Sequence, residues 1–186
     1  MLMAVSARDI STITVVAWEV LPGLPGEGPL PLHFHLGHPT PWTEGVVIRF
    51  TNSDGSSWIA NFKGCGSERK VAVIFWEAAA SIAVLVGSDF YLVDERKHES
   101  YTTLGEPSYA TSIILNENMT MLFVADSGTV HAFDRDRKLV WSRSEIGGFV
   151  AYLKNCIDGI LTVELEIEID GPLNIVRLSA KDGTLL

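Results

Sequence analysis

Four stretches of the chain share one layout of apolar and polar positions: VVIRFTNSDGSSW (46–58), FYLVDERKHESY (90–101), VHAFDRDRKLVW (130–141) and IVRLSAKDGTLL (175–186). Each reads as an apolar strand, a polar turn and a second strand, rich in the Val, Ile, Phe, Tyr and Trp that favour extended backbone. Aligning them on Thr51, Asp94, Asp134 and Ser179 puts Phe50, Val93, Phe133 and Leu178 just before the anchor, and Trp58, Tyr101, Trp141 and Leu186 seven residues after it. The anchors are 43, 40 and 45 residues apart. That is the length of a four-stranded propeller blade, and the strand-forming residues favour it over a helical repeat.

A second apolar pair precedes each hairpin, clearest in VAVIFWEAAASIAVLV (71–86) and SIILNENMTMLFV (112–124). Their turns, at Glu77 and Glu117, lie 17 residues before the anchor Asp. TVVAWEV (14–20) and FVAYLKN (149–155) supply the same element to the first and last units. Glu19, however, lies 32 residues before Thr51, which implies an insertion of about 15 residues within the Pro/Gly-rich stretch 21–45. A lone meander cannot bury both faces, so successive units are expected to stack with the seventh-position side chain between them. The one Ala-rich stretch, Glu77 to Ser81, is only a turn long, and no helix is expected.

The run LFVADSGTVHAFDRDRKLVW (122–141) resembles the repeat of the PQQ-type, quinoprotein-like β-propellers, where a strand ending in Leu-Asp is followed by a Gly turn and then a Trp. The segments 90–101 and 175–186 echo it, and 46–58 shares its turn and Trp58. Two departures stand out: the aromatic arrives one residue early, and His98 and Lys138 occupy the place of the turn Gly that Gly55 and Gly183 keep. The resemblance implies blade architecture without the quinone chemistry, since no ligands for the quinone or its calcium are present. The expected fold is therefore all-β: a β-propeller-like array of about four antiparallel meander blades, closed as a small ring or left as an open arc. One domain, 1–186, comprises units at about 10–65, 66–106, 107–146 and 147–186, with the insertion at 21–45. An open arc leaves sheet edges for a second copy to complete, so a homo-oligomer is expected to fit.

Composition narrows the functional classes. Hydrophobic residues make up 47% of the 186 and charged residues 20%, which suits a globular chain. With 14 basic and 23 acidic residues the formal charge is -9, which argues against nucleic acid and favours a basic protein partner. No apolar run is long enough to span a bilayer, and the first residues lack a basic stretch followed by an apolar one. The two cysteines, Cys65 and Cys156, have no CxxC spacing. These features predict a reducing, cytoplasmic location.

Two constellations are candidates for chemistry. In PLHFHLGHPTPW, His33 and His35 share one face of an extended segment and His38 follows a Gly turn, a donor set suited to zinc, iron or nickel. The HxH looks like the cupin signature, but Pro39 and Thr40 stand where that signature needs Glu, and Glu44 comes too late. In VELEIEID (163–170), Glu164, Glu166, Glu168 and Asp170 alternate with Leu165, Ile167 and Ile169, giving a strand with one carboxylate face. Asp54, Asp136 and Asp182 read as turn formers.

No GxSxG, P-loop or dinucleotide-binding loop occurs, and the Ser, His and Asp residues show no triad spacing. The expectation is a non-enzymatic interaction scaffold with no cofactor, binding a basic partner through the insertion with Trp42 and Glu44, the acidic strand, or both. Its most concrete form is an acidic immunity or inhibitor protein. The alternative is a metal-dependent enzyme using His33, His35 and His38. A third possibility is a sugar or small-ligand binder stacking its ligand on Trp18, Trp42 or Trp58.

Overall fold

A computed structural model describes residues 14–35, 44–64, 70–101, 109–169 and 171–186. These form four small sheets that follow one another along the chain. The first contains β1 (Val15–Leu21), β2 (Leu32–Phe34), β3 (Val46–Asn52) and β4 (Ser57–Phe62). The second contains β5 (Val71–Trp76), β6 (Ser81–Val86), β7 (Asp89–Asp94) and β8 (Ser100–Tyr101). The third contains β9 (Ala110–Leu115), β10 (Met121–Asp126), β11 (Thr129–Asp134) and β12 (Leu139–Arg143). The fourth contains β13 (Val150–Ile157), β14 (Ile160–Glu166) and β15 (Leu173–Ser179), extended by a bridge between Leu178 and Leu185. A one-turn 3₁₀ helix, Glu77–Ala79, links β5 to β6. Among the described residues no helix is long and apolar enough to cross a membrane.

The second and third sheets are antiparallel meanders in strand order, as expected. The first is not. Its order is β1-β3-β4-β2, and β2 lies parallel to β4, pairing Leu32, His33 and Phe34 with Ala60, Asn61 and Phe62. The insertion explains the difference: Pro22, Pro25, Pro29 and Pro31 cannot extend a hairpin with β1, and the chain instead runs back to the far edge of β4.

Strand alternation sorts the apolar side chains into three layers, one between each pair of consecutive sheets. Ile82, Val84, Val86, Tyr91 and Val93 pack on Ile48, Phe50, Ala60 and Phe62 of the first sheet. Their alternates Ala83, Leu85, Phe90 and Leu92 pack on Leu122, Val124 and Phe133 of the third. Phe123, Ala125, Val130 and Ala132, on that sheet's other face, meet Ala151, Leu153, Leu161, Val163 and Leu178 of the fourth. The two middle sheets are thus apolar on both faces, which explains their near-continuous apolar runs.

A repeated interlock joins the sheets at their turns. Trp58 stacks on His98 of the next sheet at 4.2 Å, and the Arg137 guanidinium lies 4.3 Å above the ring of Tyr101. Trp141 covers Gly183 and donates from Nε1 to the Ala180 carbonyl at 3.0 Å. The receiving residues all have left-handed backbone: φ is 55° at His98, 64° at Arg137 and 71° at Gly183. The turn position expected at Lys138 therefore belongs to Arg137.

In the first unit the alignment shifts by one residue. Asn52, not Thr51, opens the turn: its amide donates to the Ser56 carbonyl as the Asp94 amide donates to that of Glu99. Phe50 accordingly faces the second sheet, whereas Val93, Phe133 and Leu178 each face the sheet before their own. Leu186, the fourth member of the seventh-position column, does not lie between sheets and is 67% exposed.

Candidate functional site

The leading strands of the last three sheets are tied to one another by side chains. The Thr111 hydroxyl of β9 donates to the Ala151 carbonyl of β13, and the Leu153 amide donates to Ser112 Oγ at 2.8 Å. Lys70, just before β5, donates from Nζ to the Thr111 carbonyl. These ties use polar groups of β9 that have no strand partner on that side.

Around them opens a cleft of about 540 Å³ lined by Lys70, Tyr152, Lys154, Glu164, Glu166 and Leu173, among others. Its shape follows from the fourth sheet. Tyr152, Glu164 and Ile175 lie side by side across β13, β14 and β15, and Val150, Glu166 and Leu173 form the next row. These rows are on the face opposite to Ala151, Leu153, Val163 and Leu165, which are buried against the third sheet. A bulge between Leu153 and Asn155 turns Lys154 to the same region, where it forms a 3.2 Å ion pair with Glu164. The Lys70 ammonium lies 5.8 Å from the Tyr152 ring centre. Glu166 has no ion pair among the described residues. The cleft therefore combines two carboxylates, two ammonium groups and an aromatic face in a partly desolvated setting suited to charged ligand groups.

Of the expected carboxylate stripe, Glu164 and Glu166 are on the strand and half-buried, and both line the cleft. Glu168 is not part of the strand: β14 ends at Glu166, and Glu168 accepts the Gly171 amide in the turn leading to Pro172. For the same reason Ile167 and Ile169 are exposed, not packed beneath the stripe. Asp170 lies outside the described residues.

The other expected site residues are on the first sheet. Glu44 accepts the Leu24 amide at 3.2 Å and lies against Gly23, so it ties down the insertion. His33 is on β2 with Nδ1 3.1 Å from Asn61 Nδ2, and Asn61 Oδ1 accepts the Gly45 amide at 2.7 Å. His35 follows β2 and is exposed. His38 and Trp42 lie outside the described residues. No group of three His, Cys, Asp or Glu side chains placed to hold a metal occurs among the described residues.

Sequence reasoning missed Lys70, Ser112, Tyr152 and Lys154, which come from three different repeats. It also missed a cross-strand Ser–His–Asp series. Ser142 Oγ is 2.9 Å from His131 Nδ1, and His131 Nε2 is 3.9 Å from Asp126 Oδ2. Burial holds the imidazole below its ordinary pKa and raises the Asp126 carboxyl, which accepts from Ser127. The His–Asp separation exceeds hydrogen-bond length, so the base is not oriented as a nucleophile-activating triad requires.

No family model matches the chain, and no curated protein matches it. A solved structure similar to it is the extracellular domain of a hybrid two component system from B. thetaiotaomicron, at 12% identity and a TM-score of 0.49. The match covers 83% of this chain and 23% of that one.

Proposed function

We propose that the chain is a non-enzymatic interaction scaffold, a propeller-like open arc of four sheets that captures a basic protein through the outer face of its fourth sheet. The observation that carries this reading is the composition of that face. Glu164 and Glu166 stand beside Tyr152, Leu173 and Ile175, with Leu173 47% and Ile175 64% exposed. Exposed aliphatic groups next to carboxylates, on a chain of charge -9, suit a partner offering Lys or Arg together with apolar contacts. The Lys154–Glu164 pair is half-exposed on the lysine side, so an incoming cation displaces it at little cost.

Serial stacking of the sheets and convergence of β5, β9 and β13 support the propeller-like arrangement. Exposure of Leu173 and Ile175 on the outer face of the fourth sheet supports an arc instead of a closed ring. In its most concrete form the protein is an acidic inhibitor or immunity protein that masks a basic toxin or nuclease.

Affinity capture from the native host, comparing wild type with Glu164→Lys/Glu166→Lys, tests the reading. One basic protein should be retained in equimolar amount by the wild type. It should be released near 0.5 M salt, on the order of the concentration that screens contact charges, and should be absent from the variant. Equal retention by the two proteins, or no stoichiometric partner, overturns the reading.

A further inference from the structure

At the turn end of the junction between the second and third sheets, a cleft of about 470 Å³ is bordered by Arg96, Lys97, Arg135 and Arg137. Four of the 14 basic residues of a chain with charge -9 thus surround one concavity. Two come from the turn after β7 and two from the turn after β11, which are the equivalent turns of successive repeats. The carboxylates at the same cleft are Glu77, Asp94 and Asp136.

Asp94 is already committed. Its Oδ1 accepts the Arg96 and Lys97 amides at 2.9 Å each, and its Oδ2 accepts the Tyr101 hydroxyl at 2.9 Å and the Arg137 guanidinium at 3.3 Å. Arg137 is fixed by this pair, by the Tyr101 ring and by the Ala79 carbonyl at 3.4 Å. That leaves Arg96, Lys97 and Arg135 facing Glu77 and Asp136, with no ion pair holding any of the three cations among the described residues.

We propose that this cleft binds a small molecule carrying two adjacent phosphoryl groups, one held by each turn. Guanidinium groups match phosphate oxygens in a bidentate fork, and two arginines on separate turns span neighbouring phosphoryl groups better than a single planar carboxylate. The rigid Arg137 closes the wall between them without spending its own charge. A cleft of this volume admits a ligand up to nucleotide size. The site lies on different elements from the acidic cleft, so neither proposal depends on the other.

The test is titration of the full chain with inorganic pyrophosphate, read by calorimetry and amide chemical shifts in low salt, with sulfate and citrate as comparators. Saturable one-to-one binding is expected, with shifts confined to residues 94–98 and 134–138. Arg96→Gln and Arg135→Gln should each weaken it by about tenfold, the loss of one charge-assisted contact, while Lys154→Gln at the other cleft leaves it unchanged. Both arginines are exposed, and an unaltered circular dichroism spectrum confirms that the variants fold. Absence of saturation, equal affinity for sulfate or citrate, or binding that survives both substitutions overturns the assignment.

Discussion

The interlock at the turns makes a prediction in which one glycine controls for another. Gly183 and Gly55 both have left-handed backbone, with φ of 71° and 82°. A Cβ at Gly183 would be 2.8 Å from Trp141 Cε3 and 3.0 Å from Cζ3, whereas at Gly55 it meets nothing within 4 Å. Gly55→Ala should therefore cost only the left-handed backbone penalty, roughly 1–2 kcal/mol. Gly183→Ala adds the displacement of a packed indole, roughly a further 1–3 kcal/mol. Stiffening of the unfolded chain is the same in both variants and cancels in the comparison. Denaturant unfolding followed by tryptophan fluorescence measures the difference, which corresponds to about 2–4 °C in Tm for each kcal/mol at this chain length. Equal destabilisation of the two variants would mean that Trp141 does not rest on Gly183, and the interlock would lose its best-packed example.

Two further predictions concern ionisable groups. Burial pushes the Asp94 carboxyl up, but the Lys97 amide, the Tyr101 hydroxyl, the Arg96 amide and Arg137 together hold it below its ordinary value. Its contribution to stability is present above the unfolded-state pKa and lost as pH falls through the native one; Asp94→Ala, which strands these donors, should cost about 2–4 kcal/mol in denaturant unfolding. Burial also depresses His131, so on acidification below about 6.5 the unfolded chain gains a proton that the native one resists. The unfolding midpoint should fall between about pH 7 and 5, and fall less in His131→Gln, which keeps a partner for Ser142; identical slopes would refute this. His98 shifts in the same direction and accounts for slope that remains.

What the sequence made legible was governed by period. Val93, Phe133 and Leu178 could be placed between sheets because period-2 alternation and a recurring offset constrain the same side chains twice, and all three are fully buried. Trp58, Tyr101 and Trp141 followed for the same reason. The first unit slipped by one because Thr51 and Asn52 are both plausible turn openers, and only the amide contact to Ser56 decides between them. The extended segment read around His33 is strand β2, but its place was hidden, because parallel pairing with β4 is a matter of chain path and not of local pattern. Alternation in VELEIEID continues beyond the point where hydrogen bonding to β15 stops, so the carboxylate stripe looked twice as long as it is. Lys70, Ser112 and Tyr152 converge through the stacking of separate repeats, which no local pattern encodes.

The serial order of the three apolar layers bears on how the chain is made. Each sheet can be completed from residues already synthesised, and its exposed face is covered by the next sheet to emerge from the ribosome. At about 5–20 residues per second, each successor of some 40 residues arrives within roughly 2–8 s. A nascent chain therefore holds one apolar face at a time waiting for its cover, and the partly built stack never has to bury two faces at once.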